Sequence, residues 1–188
     1  MKTIYYYFLF ILFLVSSSNS FAKGFQPPSK GKAVVYFTRV TKYAAVTSFE
    51  YFHKDKYIGV FKGQNYMRYE CDPGQNLFWV STENKEFITA DLKEGESYIV
   101  IVDVTMGVMK ARVGLTPITE KDIEFERAKE IILSKDPIIT PEEKIAKMNV
   151  QLTDFINEKL TLYETEWKLT NNFKHISPEM AIPASAMN

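Results

Sequence analysis

Glu70, Asp72, Asp91 and Asp103 are the acids that a fold could gather into a carboxylate pair, the simplest device for cleaving a glycosidic bond. Such pairs are assembled from distant residues and leave little local trace. Asp103 stands out because it lies in an apolar run, SYIVIVDV, where burial would raise its pKa. Its place near the end of that run equally lets it bond the turn that follows, Thr105-Met106-Gly107. A thiol nucleophile is the second option, since Cys71 is the only cysteine and His53 and His175 are the only histidines. That chemistry requires the fold to bring His53 against Cys71, and nothing in the local spacing does so. Neither histidine has Cys or Asp at metal-ligand spacing, so both read as solvated side chains and no zinc site is expected. Glycine-rich phosphate loops, G-x-S-x-G, H-E-x-x-H and paired C-x-x-C are all absent from the sequence. No catalytic, metal or cofactor residue is therefore assigned, and the chain reads as non-enzymatic.

Aromatic rings offer a third chemistry. Tyr51, Tyr57, Tyr66, Phe78 and Trp79 fall on or beside short alternating runs, and rings stacked on an exposed sheet face bind sugars. The competing expectation is that they fill the core and the interface between sheet and helices, which alternation favours for most of them.

The elements that must position these groups begin after a leader. Residues 1–22, MKTIYYYFLFILFLVSSSNSFA, carry one lysine, an apolar stretch shorter than the roughly 20 residues of a spanning helix, and small residues at Ser20 and Ala22. This is the pattern of a secretory signal peptide cut after Ala22, which predicts a periplasmic or secreted protein with no membrane span once cleaved. No cysteine follows the cut to take a lipid anchor. The full chain carries 23 basic and 23 acidic side chains, and the leader removes only Lys2, so no excess of positive charge draws nucleic acid. A single cysteine cannot form an internal disulfide, so stability must come from packing. Cys71 alternates with Met67 and Tyr69 against Arg68 and Glu70, which predicts a small buried hydrophobe. A bridge from Cys71 to another chain is the alternative.

Residues 23–32, with two prolines and two glycines, read as a flexible linker. From 33 to 116 the sequence alternates in short, evenly spaced runs, predicting an antiparallel β-sandwich of seven or eight strands. The runs are 33–39, 48–53, 57–61, 66–71, 76–81, 87–92, 97–104 and 108–115. Their joints are short, polar and rich in turn formers, and in Asp72-Pro73-Gly74 the proline presets φ while the glycine takes a positive φ. In the seventh run Tyr98, Val100, Val102 and Val104 oppose Ile99, Ile101 and Asp103. Both faces are apolar, so the strand is central and its second face needs a cover.

Residues 117–170 supply two helices for that cover. Pro117 ends the sheet pattern, Thr119 with Asp122 forms a cap, and Phe125, Ala128, Ile131 and Ile132 make an apolar stripe. Thr140-Pro141-Glu142-Glu143 is a stronger cap for a second, long helix running to about Leu169. At 1.5 Å per residue such a helix outruns a typical strand, so it must overhang, bend or meet a partner. Strict heptads from Ile145 place Lys159 and Glu166 on the seam, which argues for packing on its own domain over a homo-oligomeric coiled coil. Residues 171–188 read as a disordered tail.

Four features lie within residues 52–115: HKDKYIGVF at 53–61, NYMRYE at 65–70, the Pro73-Gly74 turn, and Gly95-x-x-Tyr98 leading into a long apolar strand. On these the chain resembles the PEGA-like β-sandwich, a recurrent bacterial envelope module, and related secreted or lipoprotein domains of unknown function. The resemblance covers about a third of the chain. It implies the fold and a surface-binding or scaffolding role toward an envelope protein or cell-wall component, and it carries no catalytic residues. The missing lipid-anchor cysteine and the long C-terminal helices depart from that module. The function expected is thus an exported, non-enzymatic binding or scaffold module, with a glycan-binding module or a carboxylate-pair hydrolase as alternatives.

Overall fold

The computed structural model describes residues 23–43, 45–106 and 111–188, and the leader expected at residues 1–22 lies outside them. The protein is mostly β. Strands β1 (Ala33–Thr38), β4 (Tyr66–Cys71), β7 (Ser97–Met106) and β8 (Ala111–Ile118) form one sheet in the order β4-β1-β7-β8. Strands β2 (Ser48–His53), β3 (Lys56–Lys62), β5 (Gly74–Ser81), β6 (Lys85–Leu92) and β9 (Lys174–Ile176) form the other, in the order β3-β2-β5-β6-β9. Alternation fixes which side chains meet between them. Val35, Phe37, Tyr98, Val100, Val113 and Leu115 of the first sheet share a buried cluster with Phe49, Tyr51, Phe78, Val80 and Ile88 of the second. The start of the expected eighth strand, residues 108–110, lies outside the described residues.

The expectation of antiparallel sheets needs correction, because both are mixed: β1 pairs with β7 in parallel and β6 with β9 in parallel. Pro117 does not end the pattern either. It lies within β8 opposite Val100, at the sheet edge, where a missing N–H costs no ladder bond. The turn expected at Asp72-Pro73-Gly74 is present, with Gly74 at φ 85°.

Four α-helical stretches follow the eighth strand, and they carry the cover. α1 (Phe125–Ser134) lays Phe125, Ala128, Ile131 and Ile132 on Val34, Tyr36, Ile99 and Ile101, the outward face of β1 and β7. Thr119 does not cap it. The Asp122 carboxylate accepts from both the N–H and the hydroxyl of Thr119, at 2.7 and 2.8 Å, closing a separate turn ahead of the helix.

The long helix is interrupted. α2 (Glu142–Gln151) gives way at Leu152 to α3 (Thr153–Leu162), followed by a π-helical turn (Tyr163–Trp167) and a last turn, α4 (Lys168–Thr170). Beside the break the Thr153 hydroxyl back-bonds to the carbonyls of Asn149 and Val150 at 2.8 and 3.1 Å. Thr140 is not its cap: the Thr140 hydroxyl accepts from the Val60 N–H of β3 at 3.0 Å. Gly59 makes room for that contact, because a Cβ there would lie 2.8 Å from the Thr140 hydroxyl. The helices cover the outward face of the second sheet. Phe52 stacks on Trp79 at 3.8 Å, and Phe87 stacks on Tyr163 at 4.5 Å. No helix among the described residues is long and apolar enough to cross a membrane.

Both segments expected to be loose are docked. In the linker, Phe25 packs edge-on against Tyr36, and the Gly24 N–H bonds the Ile132 carbonyl at 3.0 Å. In the tail, β9 adds to the second sheet, Ile182 is fully buried, and its N–H bonds the Ser97 carbonyl at 2.8 Å. The apolar outward face of β1 and β7 is wider than α1, and these segments finish its cover. We expect Ile182→Ala to cost about 2–5 kcal/mol of stability in a guanidinium titration; a loss under about 0.5 kcal/mol would contradict a docked tail.

Candidate functional site

The carboxyl ends of the parallel pair β1 and β7 open on one cleft of about 770 Å³, within the size range of small-ligand sites. One wall is Val102, Asp103, Val104 and Thr105, where β7 runs past the cover of α1. The opposite wall is α1 itself, with Glu124, Arg127, Glu130 and Ile131, then Ser134 and Lys135 at its end. Val40, Thr41 and Lys42, which follow β1, form the rim with Gln64.

Arg39 sets the rim. Its side chain is fully buried, donates to the carbonyls of Tyr43 and Thr47 at 2.8 Å each, and lies 4.6 Å over the Phe49 ring. The Gln64 amide donates to the Val40 carbonyl at 2.9 Å and fixes the rim from the other side. The sequence marked Arg39 only as the end of a strand. A basic residue closing an apolar run is the signal that was available there.

Both signs of charge line the cleft, and several groups are already engaged. Arg127 bonds both carboxylate oxygens of Glu124 at 3.3 Å, and the Lys135 ammonium donates to the Gln64 carbonyl. Part of the turn after Asp103 lies outside the described residues. The Asp103 carboxylate accepts from the Thr116 hydroxyl at 2.5 Å, and that hydroxyl accepts from Lys174 at 2.6 Å. The arrangement suits recognition of a polar ligand by charge and hydrogen bonds.

The four sequence-predicted acids are not brought together. Glu70 pairs with Val34 near the start of β1, and Asp103 lies two residues past Ile101, which pairs with Thr38 at its end. That offset is about 20 Å along the strands, well beyond the separation of a glycosidase pair. Glu70 and Asp72 instead anchor the N-terminal segment. Burial works against the Glu70 carboxylate, but hydrogen bonds from Arg68 and Ser29 bring its carboxyl below the usual range. Asp72 is exposed and bonds Lys32 at 2.7 Å, and Asp91 is exposed on β6. Burial raises the carboxyls of Glu50 and Glu86, and the charge of Asp103 adds to the rise at Glu86, although neither glutamate lines the cleft. No group of three or more His, Cys, Asp or Glu able to hold a metal occurs among the described residues.

The five rings considered as sugar platforms are all buried, so none offers a flat face to solvent. Tyr51 and Phe78 lie between the sheets, Tyr57 and Trp79 under α2 and α3, and Tyr66 under α1. Cys71 is buried as expected, and burial pushes its thiol up to about 12. It is neither a thiolate nucleophile nor open to bridging.

His53 departs from expectation, being half-buried rather than solvated. Its ring stacks on Phe78 at 4.8 Å and bonds the Tyr69 hydroxyl at 3.0 Å and the Asn76 amide oxygen at 2.7 Å. The network assigns the tautomer. The Asn76 nitrogen donates to the carbonyls of Asp72 and Gly74, so its oxygen faces Nε2, which must carry the hydrogen, and Nδ1 accepts from Tyr69. Both ring nitrogens are thus committed to structural partners. His175 is exposed and bonds Thr89 at 2.8 Å.

Compared with known proteins, the chain matches no protein-family model and no curated sequence.

Burial is the main cause of a lowered His53 pKa, opposed by the Asn76 bond and aided by Lys54 and Lys56. The unfolded chain therefore takes up the proton first as pH falls, and stability drops from about pH 6.5 downward through the folded-state pKa. Denaturant titrations between pH 7.5 and pH 5 should show this slope, with a reduced one in His53→Gln. Equal slopes in the two proteins would contradict the assignment.

Proposed function

We propose that the chain is an exported, non-enzymatic β-sandwich module of the bacterial envelope, which receives a polar ligand or partner segment in the cleft at the carboxyl ends of β1 and β7. One observation carries this reading. The protein's own helices cover the outward faces of both sheets, while the cleft remains open and lined by Lys42, Asp103, Arg127, Glu130 and Lys135. Export rests on the leader composition of residues 1–22, and the envelope setting on the PEGA-like features between residues 52 and 115.

The geometry favours binding over catalysis. The carboxylate of Asp103 is committed to Thr116, and that of Glu124 to Arg127. An acid–base pair needs one carboxyl held protonated near neutral pH, and the two carboxyls that burial raises, Glu50 and Glu86, are not in the cleft lining. Recognition needs only what the lining offers, namely charges of both signs on a rim held by Arg39 and Gln64.

Fractionation and site-specific crosslinking in the producing cells test both halves. The protein should be recovered outside the cytoplasm with Lys23 as its first residue. A photoreactive group at Lys42 should give an adduct that Arg127→Glu lowers about tenfold, while the same group at exposed Val150 on α2 gives none. Retention of the leader in the cytoplasm would contradict export, and equal labelling from both positions would contradict the cleft. Release of sugar from envelope polymer that Asp103→Asn abolishes would replace the binding reading with a hydrolytic one.

A further inference from the structure

β1 and β7 run side by side only as far as Thr38 and Ile101. Past that point β1 turns away, and the Arg39 N–H bonds the Asn65 carbonyl at 2.9 Å. β7 continues to Met106 with a strand on its other side alone, Val102 to Met106 lying against Leu115 to Ala111 of β8. A central strand thus becomes an edge within the sheet, and its residues Val102, Asp103, Val104 and Thr105 line the cleft.

Two sets of bonds fix which backbone groups the cleft receives. In a strand the N–H and carbonyl of one residue point to one side and those of the next residue to the other. The Val34 N–H of β1 bonds the Glu96 carbonyl at 3.0 Å, so every second residue from Glu96 to Val104 faces the β1 side. The β8 side gives the same answer. Val113 stands opposite Val104, and the Asn84 amide takes both backbone groups of Val113, at 2.7 and 2.9 Å, on the side away from β7. Opposite residues of an antiparallel ladder point both toward each other or both apart, so Val104 turns its N–H and carbonyl away from β8. Val102 shares that side but is fully buried, so the open groups begin at Val104. The Val104 side chain packs on the core between the sheets, which leaves its backbone to face the cleft. Among the described residues nothing bonds Val104 on that side.

We infer that this notch in the first sheet is a pairing site for an extended segment of a polypeptide partner, with polar side chains at alternate positions, lying on the line that β1 leaves. The inference rests on the reading of the cleft as a binding site. The backbone selects the occupant. Val104 offers one donor and one acceptor on the same side of an extended strand, which is the pattern that another extended peptide complements. Alternate side chains of that segment continue the outward row of Val34 and Tyr36 and meet Glu124, Arg127 and Glu130 of α1, a wall carrying charges of both signs.

Selection of random peptides displayed on phage against the purified protein, followed by titration of the best binder, tests the pairing. Methylating the peptide's amide nitrogens at one alternate set of positions should weaken binding at least about tenfold, while the other set changes it less than about twofold, because only one set faces Val104. Arg127→Glu should weaken the unmethylated peptide about tenfold. Equal losses from both sets, or a loss from neither, would overturn the pairing. So would a selection that yields no peptide whose binding Arg127→Glu weakens, even where the Lys42 photoadduct forms and upholds the cleft. A Lys42 adduct made of carbohydrate, or of a second copy of this chain, would likewise keep the cleft and remove the polypeptide partner. Absence of any Lys42 adduct would overturn both readings together.

Discussion

The parallel pairing of β1 with β7, apolar on both faces, is the constraint to which the other elements answer. All six residues of β1 are buried, and Tyr98 to Val102 of β7 are buried as well. Each such side chain contributes about 1.5–3 kcal/mol when it leaves water, so neither face of the pair can be left wet. One face is met by the second sheet and the other by α1, with Phe25 and Ile182 completing its margin. Where β7 outruns that cover, the outward face turns polar at Asp103 and the cleft begins. The candidate site is therefore a consequence of one strand being longer than the helix that shields it.

The second sheet repeats the logic with aromatic residues. Phe52, Trp79 and Phe87 make its outward face a row of stacked rings, too apolar to be exposed, and the interrupted C-terminal helix lies across them. The break at Leu152 and the π-helical turn let that helix keep Phe155, Tyr163 and Trp167 over the rings where a straight one would drift off. Side chains that favour loops in isolation do the fastening. Asn149 holds β3, Asn84 holds β8, and Thr140 meets Val60 through the space that Gly59 leaves.

Much of the local structure was legible in the sequence. Of the nine strands among the described residues, seven lie where alternation and turn residues set them, the eighth runs on past its expected end through Pro117, and the need for a cover over Ile99 and Ile101 followed from the seventh run alone. The stripe of Phe125, Ala128, Ile131 and Ile132 identified the helix that supplies it. Strand order was not legible, because the pairing of Val34 with Ser97 joins residues far apart in the chain and leaves no local pattern. The strand at Lys174–Ile176 is too short to alternate, and its parallel pairing with β6 exists only once β6 is in place. His53 and Thr140 were misread for a related reason. Each bonds a partner brought in by the fold, Tyr69 and Asn76 for the histidine and Val60 for the threonine. Of the cleft's charged groups, only Asp103 was singled out for chemistry beforehand, since its rim and far wall come from segments that meet only in three dimensions.

Native-state hydrogen exchange, followed amide by amide, tests the central place of the β1–β7 pair most directly. If that pair organises the fold, its amides exchange only through complete unfolding and define the highest opening free energy in the molecule. Amides of β1 and β7 that open at lower cost than those of the β5–β6 hairpin would contradict this account.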